Sequence, residues 1–228
     1  MNAKHILKFD RTLRLSETGV SRRQALMGLA AVPLAAGLAT EARAQEVEDL
    51  QADSRGLFPD DRTMGAMDAP AVLIEYASLS CPHCARFHTQ LLPEMKRDWI
   101  DSGKLLYVYR DFPLNAPALW AAMVALCLEG DSYFAFLDIL YQQQDNWLRS
   151  QDPAQSLFQL SQVAGFDQAR FEACVQDEAV FNRLVMGIEY AEATYGVNAT
   201  PTLLLNGDKV SPRGYAELSD LIAGQQGS

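Results

Sequence analysis

Cations are scarce in this sequence. Its 228 residues include 19 Lys and Arg against 29 Asp and Glu, for a formal net charge of −10. Binding to nucleic acid relies on clustered cations facing phosphate, so this balance argues against a nucleic-acid partner. The sequence has no internal repeat and no low-complexity tract. With 49% apolar and 21% charged residues, the composition excludes a wholly disordered chain. No apolar run approaches the roughly 20 residues that a membrane-spanning helix needs. With only three His and four Cys, the chemistry has few places to reside.

The cations that are present gather at the start. Residues 1–24 carry Lys4, Lys8, Arg11, Arg14, Arg22 and Arg23; 25–39 is charge-free and rich in Ala and Leu; Ala42-Arg43-Ala44 follows. A basic region, a short apolar region and a small-x-small site read as a cleavable export signal over 1–44. Within it, Ser21-Arg22-Arg23-Gln24-Ala25-Leu26 resembles the twin-arginine signal of bacteria, with Ala25 where Phe is usual. Removing 1–44 takes away seven cations and three anions, leaving 12 and 26, a net charge of −14. His83 and His88 are then the remaining histidines, while all four Cys persist. Export predicts a periplasmic location, where disulfides form and endure.

Residues 45–69 are polar with scattered Asp, Gly and Pro and read as a lead-in. Ala71 to Ala77 is a short apolar run that predicts a buried strand. A helix opens at Pro82, where a missing N–H costs nothing, and continues to about Trp99. Lys104 to Arg110 predicts a second strand. From Pro117 to Tyr195 the periodicity is helical; Val180, Leu184, Ile188 and Ala191 share a face. Asp167 and Asp177 are candidate N-caps, and Gly130, Gly165 and Gly196 candidate stops. Thr202 to Leu205 predicts a strand, Asn206-Gly207-Asp208 a hairpin turn, and Tyr215 to Ala223 a closing helix. Neither half has enough strands to stand alone, so the strands must share one sheet interrupted by a helical block.

Cys81-Pro82-His83-Cys84 falls between the first strand and its helix. A thiolate at a helix start faces free N–H groups and the positive end of the dipole, and His83 can add a donor or a charge. The spacing lets the two sulfurs bond. Cys81, at the open end, is the expected attacking thiol, and Cys84 the buried resolving thiol. This motif, followed by a helical block and then Ala199-Thr200-Pro201-Thr202, resembles the DsbA family of thioredoxin-fold thiol–disulfide oxidoreductases over roughly 70–223. The resemblance implies an α/β thioredoxin-like fold, with core segments 70–113 and 196–228 and an all-helical insertion, 114–195, between the second and third core strands. It also implies a cis Thr200–Pro201 bond facing the dithiol, with Pro82, Thr200 and Pro201 presenting a substrate strand to Cys81.

Glu75 is the one charge in its strand, six residues before Cys81. Burial of a carboxylate favours its neutral form, which would let Glu75 take or give the Cys84 proton; the family carries an acid at this offset. Cys127 and Cys174 lie on predicted helices among apolar neighbours. An exported protein would expose free thiols to its own oxidant, which favours a structural disulfide between them; two unpaired core thiols are the alternative, and some relatives pair cysteines in similar places. The 47-residue separation would give roughly 4 kcal/mol in the loop-entropy model.

The expected activity is oxidation of exported proteins with free or paired cysteines through a Cys81–Cys84 disulfide. By resemblance, a quinone-linked membrane partner would restore that disulfide. No cofactor is needed, since the cysteine pair carries the electrons. The alternatives are a reductase or isomerase kept reduced by a membrane donor, and a metal carrier using Cys81, Cys84 and His88. The lead-in is too short for the dimerisation domain typical of isomerases, which disfavours that alternative; a monomer is expected. Structural zinc wants four ligands, and nothing completes that set.

Overall fold

A computed structural model describes residues 52–226; the proposed export signal and the first residues of the lead-in lie outside them. Five strands form one mixed sheet: β1 (Arg62–Met64), β2 (Ala71–Ala77), β3 (Leu105–Asp111), β4 (Thr202–Leu205) and β5 (Asp208–Val210). Their order across the sheet is β1-β3-β2-β4-β5. The central pair β2 and β3 is parallel, and β1, β4 and β5 add antiparallel. All seven residues of β2 are buried, as a strand covered on both faces requires. This is the expected thioredoxin-like arrangement. Strand β1 was not legible: Arg-Thr-Met has no alternation, and its pairing with Tyr107 to Tyr109 places it at the sheet edge.

A helical run over 82–100, α1, follows β2. It opens at Pro82 and widens into π-helical turns at Phe87–Leu91 and Lys96–Ile100. The insertion after β3 comprises α2 (Ala116–Leu126), α3 (Asp131–Gln142), α4 (Gln144–Leu148), α5 (Pro153–Ser161), α6 (Gln168–Val175) and α7 (Glu178–Tyr195); α8 (Tyr215–Ala223) ends the chain. Helix α2 buries eight of its 11 residues, so it is the insertion's central element rather than an amphipathic cover. Asp167 and Asp177 cap α6 and α7 through side-chain oxygens that accept backbone N–H bonds. Gly196 ends α7 in the left-handed conformation, φ 58°. Gly130 departs from expectation: α2 stops at Leu126, and Gly130 instead precedes α3. Asn206 and Gly207, φ 48° and 90°, make the two-residue hairpin turn that needs positive φ at both positions.

Two features tie the layers together. Arg110 of β3 is buried and reaches both carboxylate oxygens of buried Asp61, the Tyr76 hydroxyl and the Gly56 carbonyl. Cys127 and Cys174 form a disulfide, with Cα atoms 6.2 Å apart, that joins the end of α2 to α6. No helix among the described residues is long and apolar enough to cross a membrane.

Candidate active site

The redox motif is placed by the end of β2. Ser78 to Ser80 leave the sheet, and Cys81 caps α1 in extended conformation, φ −88° and ψ 121°, with Pro82 as the first helical residue. Cys81 and Cys84 are both free thiols, 4% and 0% exposed. The Thr200–Pro201 bond is cis, and the Thr200 carbonyl lies 3.2 Å from Cys81 Sγ, from which it accepts a hydrogen bond when the thiol is protonated. Two segments 119 residues apart therefore meet at one sulfur.

The two sulfurs are pushed in opposite directions. Cys81 is lowered from 9.0 to about 5, first by a hydrogen bond from the Cys84 thiol; the Thr200 hydroxyl and the backbone N–H groups of Cys84 and His83 add to this, against the opposing cost of burial. The Thr200 hydroxyl is buried and makes no hydrogen bond of ordinary geometry among the described residues, which leaves it free to turn toward the Cys81 thiolate. Cys84 moves upward, mainly because it is buried, and further because of Cys81 and the charge of Glu75. At neutral pH the pair thus holds one thiolate, outermost, and one thiol beneath it.

The remaining expected site residues fall around this pair. Pro82 and His83 are exposed, while Thr200 and Pro201 are half-buried, which leaves a surface beside Cys81 open to an approaching chain. His83 gives Cys81 its backbone N–H; its ring instead accepts a hydrogen bond at Nδ1 from Arg86, at 2.7 Å. Glu75 is fully buried. Its Oε2 accepts hydrogen bonds from the Tyr107 hydroxyl at 2.5 Å and from His88 Nε2 at 3.1 Å. His88 is therefore committed to Glu75 rather than to the sulfurs. Among the described residues no group of three or more His, Cys, Asp or Glu is arranged to hold a metal ion.

Four residues that surround the pair had no such role assigned from the sequence, where His88 was considered only as a metal ligand. His88 lies four residues after Cys84, one turn further along the helix, and that spacing could have shown it facing β2. The alternation of β3 puts Tyr107 and Tyr109 on the sheet face of Glu75, since Leu73 pairs with Tyr107 and Glu75 with Tyr109. Gln144 has no local signal: it is a buried amide from the insertion that donates to the Leu79 and Cys81 carbonyls at 2.9 and 3.0 Å. A cavity of about 70 Å³, lined by Asp61, Arg62, Arg110, Asp111, Tyr133 and Arg183 among others, contains none of the redox residues.

This geometry has relatives. The thioredoxin family matches residues 58–223. A putative protein-disulfide oxidoreductase of Rickettsia bellii is 32% identical over 149 residues, covering 64% of this chain and 57% of its own length. The chain thus spans little more than half of that curated relative. The crystal structure of Wolbachia pipientis alpha-DsbA1 is 30% identical, with TM-score 0.70, covering 75% of this chain and 93% of that one. Oxidised BdbD from Bacillus subtilis shares the fold at 20% identity and TM-score 0.65, over 74% and 94% of the two chains. The chain belongs to the thioredoxin family, in its DsbA branch.

Proposed function

We propose that this protein is a periplasmic thiol–disulfide oxidoreductase that gives its Cys81–Cys84 disulfide to exported proteins. The observation carrying this reading is the contrast between the sulfurs: Cys81 held as a thiolate near neutrality and Cys84 held as a thiol. Stabilising the thiolate stabilises the reduced protein, so the disulfide is the better oxidant.

In the reaction a substrate thiolate attacks Cys81 Sγ and the Cys81–Cys84 bond breaks, its electron pair going to Cys84. A second substrate thiolate then attacks the substrate sulfur of the mixed disulfide, expelling Cys81 as its thiolate. The substrate is oxidised by two electrons and the protein reduced by two. Pro82, Thr200 and Pro201 would present the substrate strand beside Cys81, and Glu75 would exchange the Cys84 proton. The pair needs no cofactor; a quinone-linked membrane protein would restore the disulfide. The export signal over 1–44, of twin-arginine type, would deliver a monomer to the compartment where that partner is available.

Equilibration with glutathione tests the direction. An oxidase should come out well above the roughly −270 mV of a reducing thioredoxin; a value near that figure assigns the site to a reductase instead. A Cys84→Ser variant should trap substrates covalently on Cys81. Stoichiometric metal in protein purified reduced would point to a carrier.

A further inference from the structure

Opening the disulfide leaves an electron pair on a sulfur that has no exposed surface. An unpaired anion there is costly, so a proton must arrive without bulk water. Glu75 acts on that sulfur electrostatically, yet it too is fully enclosed. Once it has delivered a proton it is itself a buried anion in need of a new one.

We propose that His88 is the proton reservoir of this half-reaction, resupplying Glu75 and, through Glu75, the Cys84 thiol. His88 Nε2 and the Tyr107 hydroxyl converge on the same Glu75 oxygen. The Tyr107 hydroxyl also lies 3.2 Å from His88 Nε2; in the tautomer that donates from Nε2 to Glu75, Nδ1 is left as the free position. Both His88 Nδ1 and Glu75 Oε1 are buried without a partner among the described residues. Such orphans are costly and call for an explanation. Two of them in one bonded pair fit a site that must gain and lose a proton: every state of a carrier cannot be fully satisfied at once.

The surroundings favour His88 as that carrier. The Tyr141 ring stacks on the imidazole at 4.2 Å, and the Tyr109 ring meets it at 5.4 Å and 83°; aromatic rings stabilise an adjacent cation. Tyr107, Tyr109 and Tyr141 are all driven well above the ordinary phenol range, chiefly by burial, and so keep their protons. Besides Glu75 and these three tyrosines, the titratable group on which His88 acts is Asp138 of α3, an exposed residue whose acidity the imidazole increases. His88 itself is 3% exposed, so its own proton exchange with water needs a local opening of the packing around it.

The step balances. A thiolate attacks Cys81, the disulfide breaks, and the electron pair on Cys84 takes the Glu75 proton. The His88 imidazolium passes one proton to Glu75, and the neutral imidazole later recovers one from water. Reoxidation runs the same path backwards.

This inference rests on the oxidoreductase reading but not on its direction. The test is single-turnover exchange between pH 5.5 and 8.5, measured both ways: oxidised protein with a dithiol peptide, and reduced protein with glutathione disulfide. His88→Gln keeps an amide donor for Glu75 but carries no proton; H88N serves where H88Q does not fold. The variant should be slower by about 10²-fold at pH 7, the lower end of general acid–base effects, with an altered rate–pH profile. Titration of the Cys81 thiolate by its ultraviolet absorbance should be unchanged. Glu75→Gln should show the same loss, and the double variant little more. Exchange by the Gln or Asn variant within twofold of the parent at every pH would overturn the assignment and leave His88 a structural donor. A parent that proved a weak oxidant would sink the proposed direction, while the ratio of rates would still decide the role of His88.

Discussion

Proton stoichiometry is the sharpest handle on this site. With Cys81 at about 5 and Cys84 far above its ordinary value, the reduced protein carries one ionised sulfur from pH 5 through neutrality. Reduction there takes up two electrons and one proton, so the midpoint potential should fall by ~30 mV per pH unit. Below pH 5 both sulfurs are protonated on reduction, and the slope should steepen to ~60 mV per unit. A dithiol with unperturbed groups near ~8.5 would hold the steeper slope across neutrality. The size of the effect also follows. At pH 7 only the part of the Cys81 shift between 7 and 5 is free energy beyond an ordinary thiol, ~3 kcal/mol, which is ~60 mV; the part between 9.0 and 7 counts only in alkali. Because the folded pKa is depressed, this stabilisation of the reduced fold is full above pH 9 and is lost as pH falls through 5. The assay is glutathione equilibration at half-unit steps from pH 4 to 9, with thiol trapping to measure the reduced fraction. A slope of ~60 mV per unit between pH 6 and 8 would refute the one-thiolate site.

Thr200→Val removes a hydroxyl that holds Cys81 down; a hydrogen bond to a charged group is worth ~1.5–3 kcal/mol, so the absorbance titration of Cys81 should move up by about one unit or more. Replacing Cys127 and Cys174 together by Ala opens a loop of 47 residues and should cost up to ~4 kcal/mol in denaturant unfolding; an unchanged midpoint would show that the cross-link leaves the unfolded chain unaffected. Asp111 is raised to about 7, mainly by burial, with the Tyr133 hydroxyl and Arg62 opposing. Stability from the neutral carboxyl is therefore full below pH ~4 and lost as pH rises through 7. Part of Asp111 remains accessible, so Asp111→Asn should stabilise at pH 8 by ~2 kcal/mol rather than the full value of the shift, and by nothing at pH 4. Arg110→Ala strands buried Asp61 and should destabilise by ~3–5 kcal/mol.

The legible parts of the fold were those whose signal is local. The strand Ala71–Ala77 announces itself by continuous burial, and the caps at Asp167 and Asp177 by residue type. The Cys-x-x-Cys pair reads directly because its chemistry fits within one helical turn. Strand β1 was hidden because three residues at a sheet edge acquire their conformation from Tyr107 to Tyr109, not from their own pattern. The Glu75 environment was half legible. Its lone charge was conspicuous, but its partners come from α1 and β3, and only the pairing of β2 with β3 brings Tyr107 onto its face. The His83 ring turned toward Arg86, a choice between neighbours that sequence spacing does not decide.

The amide of Gln144 closes two carbonyls, those of Leu79 and Cys81, in the loop that launches α1. The helical block therefore supplies a pair of donors to the very turn that sets the angle of the attacking sulfur. Excising 114–195 to recover a minimal ancestor would strand two enclosed acceptors at the reactive bend. In this chain the sheet and the insertion therefore share responsibility for the reactive bend.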